Sequence, residues 1–139
     1  MKIRVINGPN LNMLGIREPE IYGSETYADL EAFLRRSAAA LGAEVEIFQS
    51  NHEGDLVNYI QQALGAANAI VINPAAYTHT SVAILDALKA VGLPAVEVHL
   101  SDVQSREDFR RVSYPSLACV AVISGMGFDG YRRAMEVLL

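Results

Sequence analysis

Apolar residues in this chain gather in five short runs, at residues 3–6, 45–48, 69–72, 95–98 and 118–123. Between the runs lie helix-length segments whose apolar positions recur every three or four residues, so the runs predict strands and the intervening segments helices. Thr26 followed by Asp29 predicts a capping box, opening a helix with Leu30, Phe33, Leu34 and Leu41 on one face and ended by Gly42. A second helix follows Glu53, carrying Leu56, Ile60 and Leu64. A third follows Ser81, carrying Val82, Leu85 and Leu88, with Gly92 and Pro94 as its stop, and a last one spans residues 131–139.

Five β/α units result. Each parallel connection needs a crossover, and right-handed crossovers dominate, so this alternation favours a parallel sheet covered on both faces. The expected fold class is therefore α/β, a flavodoxin-like three-layer sandwich with a five-stranded parallel sheet. At 139 residues, 51% of them hydrophobic, the chain is expected to form one domain, residues 1–139. The one long irregular stretch, residues 7–26, has the length of a binding loop.

Ligands of open α/β sheets sit beyond the carboxyl ends of the strands, and here each strand is followed by polar residues. Asn7, Asn10 and Asn12 follow the first, Ser50, Asn51, His52 and Glu53 the second, Asn73, Thr78, His79 and Thr80 the third, and His99, Ser101 and Asp102 the fourth. Asn, Ser and Thr taken singly are ordinary turn and cap residues, and Thr80 or Ser81 could serve only as a cap. Turn chemistry alone, however, would not collect all three histidines of the chain at one end of the sheet.

The fourth strand carries a sharper anomaly. Glu97 and His99 are two residues apart, hence on one face, in a strand expected to be buried on both. Buried charge needs a partner, and a carboxylate that holds an imidazole in one orientation suits His99 to general acid work. The loop adds Arg17, Glu18 and Tyr22. Ionising a tyrosine at neutral pH, starting from an ordinary pKa of about 10, requires on the order of 4 kcal/mol of preferential stabilisation. One guanidinium at ~4 Å supplies roughly that in an effective dielectric of ~20, so Arg17 beside Tyr22 would make the phenol a usable base.

Charge and cysteine usage narrow the partners. A net charge of -5 offers no overall basic footprint for nucleic acid or an anionic membrane, and no apolar run reaches the ~18 residues of a membrane span. The amino terminus turns polar at Asn7 before a signal-peptide apolar region develops, so a cytoplasmic protein is expected. The single Cys119, among Leu117, Ala118 and Val120, reads as a small core residue without chemistry.

Taken together, the motifs resemble the type II 3-dehydroquinate dehydratases over nearly the whole chain. The resemblance rests on residues 8–23 (GPNLNMLGIREPEIYG), 49–54 (QSNHEG), 72–83 (INPAAYTHTSVA), 97–101 (EVHLS) and 106–110 (REDFR). It implies cofactor-free dehydration of 3-dehydroquinate to 3-dehydroshikimate by anti elimination through an enolate. Tyr22 would be the base, kept ionised by Arg17, and His99, oriented by Glu97, the acid that protonates the departing hydroxyl. Asn10 and Asn73 would organise the site and the water that stabilises the enolate oxygen. Ser101 and the Leu100 backbone would hold the substrate carboxylate, His79 and Arg110 its hydroxyls, and Asp86 would reach in from a neighbouring subunit. The resemblance further implies a homododecamer built as four trimers.

Two positions depart from the pattern. Asp102 stands where Asn is usual, and its charge would weaken binding of an anionic substrate unless it is turned away to cap the following helix. Ala121 stands where Gly is common, which implies a packing change only. Among rival readings, residues 125–130 fit G-x-G-x-x-G after a strand, but only nine residues follow, leaving no second strand and no acidic residue for a ribose. His52, His79 and His99 with Glu53 and Asp102 lack any familiar metal-ligand spacing, so no metal is expected. A phosphoacceptor receiver would need acidic residues where Asn7 and Asn73 stand.

Overall fold

The computed structural model describes residues 1–16, 20 and 23–139. Five strands, β1 (Lys2–Asn7), β2 (Glu44–Gln49), β3 (Ala69–Asn73), β4 (Ala95–His99) and β5 (Ala121–Ser124), form one sheet in the order β2-β1-β3-β4-β5. Every pairing is parallel. The described α-helices are α1 (Tyr27–Ala40), α2 (Glu53–Gln62), α3 (Val82–Val91) and α4 (Asp129–Leu138). The expected α/β sandwich is thus observed.

Strand alternation sorts the core into two layers. Ile3, Val5, Val71, Val96 and Val98 pack with Leu30 and Leu34 of α1 and Tyr131, Ala134 and Met135 of α4. Ile6, Ile70, Ile72 and Ala95 pack on the other face with Leu56 and Ile60 of α2 and Ile84, Ala87 and Leu88 of α3. β1, β3 and β4 are buried along nearly their whole length, as strands covered on both faces must be, whereas β2 and β5 are half-buried edges.

Local signals set the helix ends. Thr26 accepts from the Asp29 amide while Asp29 accepts from the Thr26 amide, completing the capping box. Ser81 accepts from the Ile84 amide, and Gly92 ends α3 in the left-handed conformation. No described helix is long and apolar enough to cross a membrane.

Four details differ from the expectation. The β4 to β5 connection carries three 3-10 turns, Val103–Ser105, Asp108–Arg111 and Pro115–Ala118, and no α-helix, because it has no sustained apolar face to bury. Ala118 lies in the last of these turns, and β5 begins at Ala121. Leu64 falls beyond the end of α2 and is 63% exposed. Val82, in the first turn of α3, faces outward, and Ile84 takes the core position beside Leu85 and Leu88.

Candidate active site

A cleft opens at the carboxyl ends of β1, β3 and β4, enclosing about 590 Å³ of empty space, part of it open solvent. Asn10, Asn73, His79 and His99 line it, as do Leu100, Ser101 and Arg110. Seven of the residues singled out from the sequence therefore meet at one site. Arg17 and Tyr22 lie outside the described residues.

On β4, Glu97 is fully buried and His99 nearly so. The His99 Nε2 stands 2.7 Å from a Glu97 carboxylate oxygen. A carboxylate only accepts, so Nε2 carries the proton and Nδ1 is the ring nitrogen left for the cleft. The Ser113 hydroxyl lies 2.7 and 3.0 Å from the two Glu97 oxygens and donates to the carboxylate. Ser113 is itself held by the Ser116 amide at 3.2 Å. Glu97 thus has two donors, and the plane of the carboxylate that aims His99 is fixed.

Asn73 ends β3, where its side-chain oxygen accepts from the Ala75 amide at 3.1 Å. Ala75 adopts φ 53, and Asn10 on the facing loop adopts φ 70; these are the two non-glycine residues in the left-handed region among those described. Such strained backbone concentrates where a site needs it. Asn10 is anchored through its amide to the Asn51 side chain at 3.0 Å, and Gln49 braces Asn51 and the Gly8 carbonyl.

Gly8 brings the first loop against the third: its amide donates to the Asn73 carbonyl at 2.8 Å. A Cβ there would stand 2.4 Å from the Pro74 carbonyl oxygen, which is backbone and cannot swing aside. Gly8→Ala is therefore expected to destabilise the protein by about 1–3 kcal/mol through forced backbone displacement. Chemical denaturation with an unchanged midpoint would contradict this close-packing role.

His79 ends a 3-10 turn, Ala75–His79, and its Nδ1 donates to the Val112 carbonyl at 2.7 Å. Burial lowers its pKa, and the nearby His99 and Arg110 push the same way against the Val112 hydrogen bond and Glu97. The neutral ring then keeps its proton on Nδ1 and offers Nε2 as an acceptor. Arg110 is held by Glu107 at 2.6 Å. Asp102 is turned to cap: its carboxylate accepts from the Gln104 amide at 3.0 Å at the start of the Val103–Ser105 turn. The charge of Asp102 is thereby engaged away from the main cleft, which it does not line.

Other residues considered from the sequence lie outside the cleft lining. Asp86 sits on the exposed side of α3 and does not line this chain's own cleft. His52 precedes α2 at the same end of the sheet, also outside the cleft lining. The glycine motif makes a strand-to-helix turn: the Gly125 amide donates to the His99 carbonyl, the Gly127 amide to the Leu100 carbonyl, and Gly130 packs on Val98 and Ile123. Cys119 is half-buried, and burial pushes its thiol up to about 12, so it is unreactive. Three residues that matter were not assigned roles from sequence. Arg106 lines the cleft; its place in residues 106–110 was the one signal. Ser113 and Tyr131 meet the site only through the tertiary fold.

Comparison with known proteins identifies the family. The profile of the family described as Dehydroquinase class II matches residues 1–139. A 3-dehydroquinate dehydratase of Clostridium acetobutylicum is 53% identical, the alignment covering 99% of this chain and 96% of that protein. A catabolic 3-dehydroquinase of Verticillium alfalfae is 58% identical over 97% of this chain and 90% of its own length. The crystal structure of a type II dehydroquinase from Butyrivibrio crossotus superposes with a TM-score of 0.97 at 48% identity, covering 99% of this chain and 97% of that one. With a profile matched from end to end and relatives of this identity, the chain belongs to the class II dehydroquinases.

Proposed function

We propose that this enzyme converts 3-dehydroquinate to 3-dehydroshikimate by anti elimination through an enolate, using side chains alone. The observation that carries the reading is the buried Glu97–His99 pair opening into a cleft lined by Asn10, Asn73, Ser101 and two arginines. The substrate is a ketone with a hydroxyl β to the carbonyl. A base removes the proton α to the ketone, the enolate forms, and its collapse expels the hydroxyl as an acid protonates it. No electron is gained or lost, so a base and an acid on opposite sides of the ring suffice.

Tyr22, ionised by Arg17, is the base, and His99, protonated on both ring nitrogens in the reacting state, delivers its Nδ1 proton while its Nε2–H stays on Glu97, which supplies the counter-charge. Asn10 and Asn73 organise the enolate end and its water. Ser101 and the Leu100 backbone bind the substrate carboxylate, helped by the cations of Arg106 and Arg110 at the same wall. His79, neutral, accepts from a substrate hydroxyl. Asp86 completes the cleft of a neighbouring chain in a dodecamer of four trimers, and the exposed apolar Leu117, Val120 and Val122 at the β5 edge support such association. The setting is the shikimate or quinate pathway in the cytoplasm.

Purified protein given 3-dehydroquinate alone is expected to generate the ultraviolet absorbance of a conjugated enone, at a rate unaffected by exhaustive chelation. No absorbance at high enzyme concentration would overturn the reading. Sedimentation of the active enzyme as a monomer would overturn the assembly.

A further inference from the structure

Tyr131, the third residue of α4, is fully buried and does not itself line the cleft. Its hydroxyl accepts from the Asn73 side-chain amide at 3.0 Å and donates to the Asn7 side-chain oxygen at 2.7 Å. Asn7, buried at the end of β1, in turn donates from its amide to the Tyr27 hydroxyl at 3.3 Å. Four polar side chains from β1, β3, α1 and α4 thus form one relay beneath the cleft.

A carboxamide can turn over and a hydroxyl can rotate, so such a relay has two possible polarities. One member cannot turn: the Ala75 main-chain N–H, which faces the Asn73 side chain at 3.1 Å. A backbone N–H only donates, so Asn73 must offer its oxygen there and its NH2 to Tyr131. Tyr131, having accepted, must spend its own proton on Asn7, and Asn7 then presents its NH2 to Tyr27. Burial holds the Tyr131 hydroxyl well above the usual phenol range, against the pull of the Asn73 hydrogen bond, so its single proton is always present to be donated.

From this geometry we infer that Tyr131 is a positioning residue for the dehydration: it locks the Asn73 carboxamide in one orientation, leaving one amide hydrogen of Asn73 as a preset donor for the cleft. The inference rests on the dehydratase reading above. A donor fixed before the substrate arrives needs no reorganisation as negative charge develops on the enolate, so the benefit falls on the chemical step and not on binding. Without the Tyr131 hydroxyl, Asn73 keeps only the Ala75 contact and swings about it.

The test is Tyr131→Phe, alone and combined with Asn73→Ala, in the enone assay. Tyr131→Phe is expected to lower kcat by about 10- to 100-fold with KM little changed, the scale of a misplaced catalytic group. The double variant should be no slower than Asn73→Ala alone, since both changes remove the same preset donor. Tyr27→Phe, at the end of the relay that transmits nothing to Asn73, should keep kcat within about two-fold, because the polarity is set from Ala75. Wild-type turnover in Tyr131→Phe, an additive loss in the double variant, or an equal loss in Tyr27→Phe would each overturn the inference. If Tyr131→Phe does not fold, wild-type protein labelled with 15N-asparagine decides: one Asn73 amide proton protected from solvent exchange supports the lock, and two freely exchanging ones overturn it. A wild-type enzyme inactive on 3-dehydroquinate would instead fail the dehydratase reading, a result distinct from all of these.

Discussion

His99→Ala is expected to lower kcat by about 10²–10⁴-fold while equilibrium binding of the substrate is retained, because the change removes general acid catalysis and leaves the carboxylate-binding wall intact. Hydroxide is a poor leaving group, so the proton must arrive as the bond breaks. No neighbouring side chain can take over. His79 is kept neutral chiefly by burial, and its one ring proton is committed to the Val112 carbonyl. Arg106 and Arg110 do not release protons at any pH the protein survives. Glu97 is sealed behind His99 with no exposure of its own. Removal of the imidazole also leaves that buried carboxylate with Ser113 alone, so His99→Ala should lose stability as well, and turnover must be expressed per folded molecule. Turnover within about tenfold of the wild type, at saturating substrate, would remove His99 as the acid.

Tyr22→Phe should cost a similar amount, about 10²–10⁴-fold in kcat, by deleting the base while preserving nearly all of the ring's contact area. Tyr22 belongs to the segment of residues 7–26. Its first part, Asn10 and Leu11, lines the cleft, and Gly15 approaches Ser24, since a Cβ on Gly15 would stand 3.0 Å from the Ser24 carbonyl oxygen. Arg17→Ala separates activation from chemistry. A nearby cation favours the phenolate, so its removal raises the pH at which Tyr22 ionises, and the rising limb of kcat against pH should move upward by about one to three pH units. At a pH well above that limb, Arg17→Ala should recover much of the wild-type rate, whereas Tyr22→Phe should not recover at any pH. An unmoved limb would show that Arg17 acts through binding only.

Much of the architecture was legible along the chain because it depends on local rules. The runs at 3–6, 69–72 and 95–98 are apolar but for Arg4 and Glu97, as suits strands covered on both faces, and they became β1, β3 and β4. Thr26 with Asp29 and Ser81 capped the helices they were expected to cap. Edge elements were less legible. β5 is half-buried, so its apolar signal blurs into the preceding turn at Ala118, and Leu64 continues the α2 periodicity past the point where the chain turns away. Periodicity reports which positions would share a face if a helix continued; it does not report where the helix stops finding a surface to cover.

The same division runs through the site. Strand order along the sequence determined that Asn10, Asn73, His79, His99 and Ser101 would lie at one end of the sheet, because each follows a strand and all parallel strands end on the same side, whereas Leu100 and Arg110 were named only through the family resemblance. It also determined the Glu97–His99 pair, since residues two apart on a strand share a face. Only the tertiary structure decided how these groups are held. Ser113 lies 16 residues from Glu97 and Tyr131 lies 58 from Asn73, separations at which no spacing rule operates. Their contacts exist because 3-10 turns carry Ser113 back over the β4 carboxylate and because α4 packs against β3, β4 and β5. Asp102 shows the difference at a single residue: its identity promised a charge beside an anionic substrate, and the fold turned that charge onto the Gln104 amide. Residue type sets what a group can donate or accept, and packing sets which partner it meets.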